Sequence, residues 1–256
     1  MTWQDATTPG SGPPAERNAL DRTAVGVPAP EIRPQAASPL TIANGTLEAL
    51  KWLSLVLMTL DHVNKYLLGG SSGVLFDLGR LVMPVFGFVL MYRLAHARAP
   101  ASGVHARVAR RLLVVGIGAT PVVVALGGWW PLNILFTLLL ATGIVWLLGQ
   151  GGVWRGFAAV TAVAIGGAAV EFGWFGVLAC VGAWAYCRQP SPVCLACWAA
   201  ALAGLWGVNG NFAALAALPL IWGATRVTIT LPRWRWAFYA YYPLHLALIW
   251  LATRLH

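Results

Sequence analysis

The sequence predicts an all-α, polytopic transmembrane helical bundle of about nine spans, with eight as the alternative, preceded by a disordered amino-terminal tail. Hydrophobic residues make up 59% of the 256 residues and charged residues only 10%, whereas soluble domains have about 25% charged residues. The mean hydropathy is +0.70. The apolar stretches lack the alternation of a transmembrane barrel, so helices, which satisfy their own backbone polar groups, are the expected spanning element.

The tail is predicted over residues 1–44 and the transmembrane domain over residues 45–256. Residues 1–44 contain seven of the 16 prolines and almost no apolar clusters, so they cannot bury enough apolar surface to fold. They also lack the apolar core of a secretory signal peptide.

Apolar stretches separated by glycine-rich or charged turns predict the spans in chain order. The predicted spans are Glu48–Leu68, Val74–Arg93, Val108–Leu126, Leu132–Leu148, Phe157–Val170, Phe172–Tyr186, Leu195–Val208, Phe212–Ile221 and Trp236–Leu251. The turn GGSSG ends the first span, GGWWP the third and GQGG the fourth. Several stretches are shorter than the ~20 residues that cross hydrocarbon. Phe212–Ile221 either crosses or re-enters, which leaves eight spans as the alternative.

The net charge of +9 predicts an orientation rather than a nucleic-acid partner. Arginines cluster between the second and third spans, at Arg93, Arg98, Arg107, Arg110 and Arg111. Loops rich in Lys and Arg stay in the cytoplasm, whereas the turns GGWWP and VNGN carry neither residue. The amino terminus is therefore predicted to be cytoplasmic in a multi-pass topology.

Cys194 and Cys197, in the segment CLAC, have the spacing of a redox or metal-binding pair. The chain has two further cysteines, Cys180 and Cys187, but no second pair of this spacing and no histidine near it. We predict no metal site, because buried cysteines mostly behave as small apolar residues.

The first span contains LDHVNKY, with Asp61, His62, Asn64 and Lys65. Ionisable groups within a membrane are costly, so they are functional-site candidates. Asp61 and Lys65 are four residues apart and are predicted to pair on one helix face. His62 suits general-base chemistry at neutral pH. The alternative is an ion pair that only helps the helix to pack.

Further polar residues lie in later spans. His245 follows Arg235 by ten residues, about 15 Å along a helix, and is either catalytic or an interhelical hydrogen-bond donor. Glu171 either caps a helix or reaches a cavity. Asp77 and Arg80 are predicted to pair locally, or Arg80 holds an anionic ligand group. Asn133 is predicted to cap a helix or to cross-link two.

Several sequence blocks resemble the TraX family of conjugal transfer proteins. They are ALKWLSLVLMTLDHVNKYLL, LGRLVMPVFGFVLMYRLA, PLNILFTLLL, VEFGWFGVLAC and FYAYYPLHLALIWL, in the order found in the family. The resemblance covers about Leu47–Leu255. It implies N-acetylation of the N-terminal amine of a conjugative pilin in the bacterial inner membrane, with acetyl-CoA as donor. The family is also distantly similar to membrane acyltransferases of the acyltransferase-3 type.

This resemblance supports a set of predicted roles. The predicted catalytic residues are His62, Asp61 and His245. The predicted substrate-binding residues are Asn64, Lys65, Glu171 and Tyr242. The residues predicted to hold the phosphates of acetyl-CoA are Arg80, Arg110, Arg111, Arg233 and Arg235. Asp61 is expected to orient His62, which deprotonates the amine, while His245 or a tyrosine hydroxyl stabilises the developing oxyanion.

The predicted partners are a pilin subunit, acetyl-CoA and the lipid bilayer. His62 lies toward the predicted outer side, whereas acetyl-CoA is cytoplasmic, so acetyl transfer requires an interior cavity. Two other functions remain open at this point. One is a non-enzymatic factor for pilin maturation or assembly in a type IV secretion system. The other is a proton-coupled transporter, although the sequence has no matching halves.

Overall fold

The computed structural model describes residues 40–97 and 103–255, and these residues are helical apart from turns and short extended segments. The α-helices are α1 (Asn44–Tyr66), α2 (Gly73–Gly79), α3 (Val82–Ala95), α4 (Val104–Gly127), α5 (Ile134–Gln150), α6 (Val153–Gly166), α7 (Gly173–Arg188), α8 (Pro192–Gly204), α9 (Trp206–Asn209), α10 (Ala217–Ala224) and α11 (Arg235–Leu255). A 3₁₀ helix, Ala213–Ala216, precedes α10. Most of the predicted tail, and Arg98, lie outside the described residues.

Three helical stretches within the described residues are long and apolar enough to cross a membrane. They are Gly73–Ala95, Val104–Gly127 and Pro192–Asn209. Shorter apolar helices occupy Ile134–Gln150, Val153–Ala169 and Ala213–Ala224. The helices are those of a membrane protein, but the predicted number of nine spans is not confirmed.

The predicted span Val74–Arg93 coincides with the helical stretch Gly73–Ala95, which contains one tight turn at Arg80 and Leu81. The backbone amides of Arg80 and Leu81 donate to carbonyls three residues earlier instead of four, which tightens the turn and separates α2 from α3. The break turns Arg80 toward α1. Residue spacing along one helix did not predict this turn, which coincides with the contact of Arg80 with Asp61 on a different helix.

Two apolar clusters hold the bundle together. The larger one joins α3, α5, α7 and α8, with Phe88, Val145, Val177 and Leu202 fully buried. The smaller one joins α1, α4 and α11 through residues that include Leu55, Met58, Ala119, Tyr242 and Leu246. The outer faces expose apolar side chains such as Val114, Ile117, Val160 and Leu248. Lipid contact accounts for this exposure, because a soluble protein would leave a large apolar surface in water.

Asn133 fixes the beginning of α5. Its side-chain oxygen accepts a hydrogen bond from the Leu135 amide at 3.1 Å, and its side-chain nitrogen donates to the Gly116 carbonyl on α4 at 3.2 Å. Asn133 therefore caps α5 and links it to α4, so both predicted roles are confirmed. The turn that precedes α7 also contacts the start of α5, because the Glu171 amide donates to the Leu132 carbonyl at 2.8 Å. This bond places Glu171 beside the start of α5.

Candidate functional site

The two histidines that the sequence singled out meet between α1 and α11. His62 Nδ1 lies 2.9 Å from His245 Nε2. The two rings are stacked, with centroids 5.1 Å apart and an interplanar angle of 9°. A hydrogen bond of this length joins the two side chains as one unit.

The neighbours of His245 determine the direction of this hydrogen bond. His245 Nδ1 lies 2.9 Å from the Tyr241 carbonyl, which only accepts, so Nδ1 carries the proton. In a neutral His245, Nε2 is then the acceptor, and His62 Nδ1 must be the donor. The lone pair of His62 is therefore on Nε2.

Tyr241 also holds α11 against α1. The Thr59 hydroxyl donates to the Leu55 carbonyl at 2.8 Å, which leaves its oxygen to accept from the Tyr241 hydroxyl at 2.6 Å. The Tyr241 ring stacks on His245 with centroids 5.1 Å apart. These contacts define the separation of the two helices at the histidine pair.

Asp61 pairs with Arg80 and not with Lys65. Arg80 Nη2 lies 2.9 and 2.8 Å from the two carboxylate oxygens of Asp61, and each side chain is 15% exposed. Asp77, the predicted partner of Arg80, instead accepts from Asn211 at 2.7 Å. Both predicted pairings, Asp61–Lys65 and Asp77–Arg80, are wrong. The helix break brings a guanidinium to Asp61, and a guanidinium suits a carboxylate better than an ammonium does.

A cavity of about 600 Å³ opens beside His62; we call it the histidine cavity. Its polar lining comprises Asp61, His62, Asn64, Lys65, Tyr66, Arg80, Glu171 and Tyr242. Its apolar lining includes Met58, Val82, Leu126 and Ile134. The volume suits a small ligand group or a chain terminus. All four predicted substrate-binding residues, Asn64, Lys65, Glu171 and Tyr242, line it.

Three of these residues, Asn64, Lys65 and Tyr242, have different surroundings. The Asn64 side chain is buried and bonds both the amide and the carbonyl of Ser72, so it holds the loop after α1. Lys65 is exposed, with its ammonium 5.0 Å from the centre of the Tyr66 ring. The buried Tyr242 lines the histidine cavity, so its hydroxyl is available to a ligand there.

Phe172 marks a strained point in the lining of the histidine cavity. Its φ is +65°, a left-handed conformation that is uncommon for a residue other than glycine. Such strain costs about 1–3 kcal/mol and clusters at functional sites. Phe172 immediately follows Glu171, so the same turn presents both residues to the cavity. The sequence analysis did not identify Phe172, because no residue type predicts this conformation by itself.

The predicted cofactor-binding arginines do not share one location. Arg111 and Arg233 line a second cavity of about 580 Å³, whereas Arg80 lines the histidine cavity and is paired with Asp61. Arg110 is exposed on α4. Arg235 is the first residue of α11.

The sequence analysis missed a buried charge cluster around Glu48. This side chain is 1% exposed, and its oxygens lie 2.6 Å from Lys51 Nζ and 2.8 Å from Arg93 Nη2. Arg233 Nε is 4.0 Å away. The available signal was a Glu and a Lys three residues apart near the start of an apolar helix.

A family profile described as TraX protein matches residues 46–253. The chain belongs to the TraX family. TraX proteins are conjugation-related and associated with pilin. No curated protein and no solved structure matches the chain, so the likeness to acyltransferase-3 enzymes stays a prediction.

Gly79→Ala is expected to disturb the Asp61–Arg80 pair. A Cβ at Gly79 meets the Asp61 carboxyl group, so the carboxylate must move away from Arg80. We expect a loss of about 1–3 kcal/mol, as for other overpacked sites, measured as a lower thermal midpoint in detergent micelles. Gly73→Ala is the matched control, because a Cβ there meets nothing within 4 Å. Equal midpoints for the two variants would contradict the close packing.

Proposed function

We propose that this TraX protein transfers an acetyl group from acetyl-CoA to the N-terminal amine of a conjugative pilin, with His62 as general base. The observation that carries the proposal is the His62–His245 hydrogen bond, whose direction leaves a lone pair on His62 Nε2 beside the histidine cavity. TraX membership supplies the link to pilin.

His62 performs the proton transfers in this proposal. An α-ammonium group has a pKa of about 8 and first releases one proton to solvent, which leaves a neutral amine. As the amine nitrogen attacks the thioester carbon, His62 Nε2 accepts a second proton from it, the new N–C bond forms and the thioester C–S bond breaks. His62 then returns the proton to the leaving sulfur. The positive charge that His62 gains is stabilised by the hydrogen bond from its Nδ1 to His245 Nε2.

His245 acts through His62 rather than on the substrate. The Tyr241 carbonyl holds its Nδ1 proton, which keeps Nε2 as the acceptor and orients the His62 ring. The sequence analysis gave this orienting role to Asp61. In the structure Asp61 binds Arg80, so we assign Asp61 to anchoring α1 beside the α2–α3 break.

Tyr242 is the proposed donor to the oxygen that gains negative charge. Its hydroxyl lines the histidine cavity, and its ring centroid lies 5.7 Å from that of His245. A donor that is already in place when charge develops is worth about 2.7–4 kcal/mol in acyl transfer. The apolar lining at Met58, Val82 and Leu126 lowers the local dielectric constant, which strengthens such a bond.

The test is intact-mass measurement of a pilin co-expressed with the full chain or with an empty vector. We expect one additional acetyl group only with the chain. A second measurement uses the purified protein, acetyl-CoA and the pilin, and follows release of free CoA thiol. An unmodified pilin with no thiol release would overturn the enzymatic proposal and favour the assembly factor.

A further inference from the structure

The second cavity, which we call the arginine cavity, lies at the other end of α1 from His62. Its volume is about 580 Å³. Lys51 lines it, and His62 follows Lys51 by eleven residues on one helix, about 16 Å along the axis. It is not a part of the histidine cavity but a separate space within the same bundle.

The lining of the arginine cavity is strongly basic. Its charged residues are Lys51, Arg93, Arg107, Arg111 and Arg233, and no acidic residue contributes to it among those described. Glu48 lies outside the lining and pairs with Lys51 and Arg93, so the described lining keeps an excess of positive charge. An excess of positive charge in a concave, partly apolar space attracts a polyanion.

Aromatic rings accompany these cations. Phe86, Tyr92, Phe238 and Tyr239 line the same cavity. The Arg111 guanidinium lies 5.9 Å from the centre of the Tyr239 ring. Flat rings beside guanidinium groups suit a ligand that has a planar base next to its phosphates, because each base has a face that stacks.

A thin wall separates the two cavities. On three helices, a residue that lines the histidine cavity lies close in the chain to a residue that lines the arginine cavity. These pairs are Val82 and Phe86 on α3, Ile134 and Leu135 on α5, and Tyr242 and Tyr239 on α11. The two residues in each pair are at most four positions apart, about one helical turn or ~5 Å. A slender chain held in the arginine cavity therefore needs to pass only a few side chains to reach His62.

We propose that the arginine cavity binds the phosphates of a soluble nucleotide-type ligand. Resting on the proposed function, this ligand is the acyl donor, with its phosphates at Arg107 and Arg111 and its thioester arm extended through the wall to His62. A phosphate of a lipid headgroup has the same chemistry, but the aromatic lining favours a ligand with a base. The cavity thus joins a cytoplasmic donor to the histidine pair.

The test is calorimetric titration of the full chain in phosphatidylcholine nanodiscs with CoA, 3′,5′-ADP and pantetheine. CoA and 3′,5′-ADP are expected to bind, and pantetheine, which lacks phosphates, to bind at least about tenfold more weakly. Arg111→Gln and Arg107→Gln should each weaken CoA binding about tenfold or more, as expected for the loss of a hydrogen bond to a charged group. Pantetheine binding should not change.

Arg155→Gln is the matched control. Arg155 is exposed on α6 and donates to the Gln150 carbonyl, and it lies outside the lining of both cavities. Its loss removes the same charge but should leave CoA affinity within about twofold, the range of screened surface charges. Equal weakening by Arg155→Gln and Arg111→Gln would overturn the site.

Two outcomes separate the site from the proposed function. Weaker CoA binding in Arg111→Gln, without any acetylation of pilin by the wild type, keeps the site and removes the function. Acetylation with an unchanged CoA affinity in Arg111→Gln keeps the function and removes the site. Binding of neither CoA nor 3′,5′-ADP, together with an Arg111-dependent rise in thermal midpoint in phosphatidylglycerol nanodiscs, would assign the cavity to a lipid headgroup and overturn the proposal.

Discussion

His62→Ala is expected to lower the rate of pilin acetylation by about 10²–10⁴, the usual contribution of a positioned general base. The variant removes the nitrogen that we propose takes the amine proton, and it leaves the Asp61–Arg80 pair in place. The measurement is the initial rate of thiol release from acetyl-CoA with pilin present, together with the intact mass of co-expressed pilin. A variant that still yields acetylated pilin at the wild-type rate would refute the catalytic role of His62.

Two further histidine variants make this result specific. His105→Ala removes an imidazole on α4 that lines neither the histidine nor the arginine cavity, so full activity is expected. His245→Ala leaves His62 in place but removes the acceptor for its Nδ1 proton. We expect an intermediate loss of activity and a changed pH profile for His245→Ala, because His62 then has no partner to stabilise its charged form. A purely structural role of His245 would leave the pH profile unchanged.

Glu48→Ala is expected to cause the largest loss of stability, about 3–5 kcal/mol, the range for removing one partner of a buried charge pair. The carboxylate is 1% exposed and touches Lys51 at 2.6 Å and Arg93 at 2.8 Å. Without it, Lys51 and Arg93 lose the buried carboxylate that they share. The measurement is the free energy of unfolding from titration with a denaturing detergent in mixed micelles.

Asp77→Ala is the matched control for Glu48→Ala. Asp77 is an exposed carboxylate near the opposite end of the bundle, and it accepts one hydrogen bond from Asn211. Exposed ionic contacts contribute about 0–1 kcal/mol, so the control should unfold nearly as the wild type does. Similar losses for the two variants would mean that burial of Glu48 is not what makes its carboxylate important.

The predicted helices followed from the sequence because each apolar stretch carries its own signal. The GGSSG and GGWWP turns end helices close to where they were predicted, at Tyr66 and Gly127. The tight turn between α2 and α3 was not predicted from the sequence. It occurs where Arg80 bonds Asp61, which is 19 positions away in the chain. The helical stretches Pro192–Asn209 and Ala213–Ala224 lie where the spans Leu195–Val208 and Phe212–Ile221 were predicted.

By itself, the sequence determined that the chain is a helical membrane protein of the TraX family and that His62 and His245 deserve functional consideration. An ionisable group in an apolar stretch is costly wherever the helix packs, so its presence is informative before any contact is known. Only the tertiary structure decided the partners. It shows that His62 bonds His245, 183 positions away, and that Asp61 pairs with Arg80 and not with Lys65. It also shows that basic residues far apart in the chain line one cavity. Such contacts depend on how helices pack side by side, and spacing along one helix does not specify that arrangement.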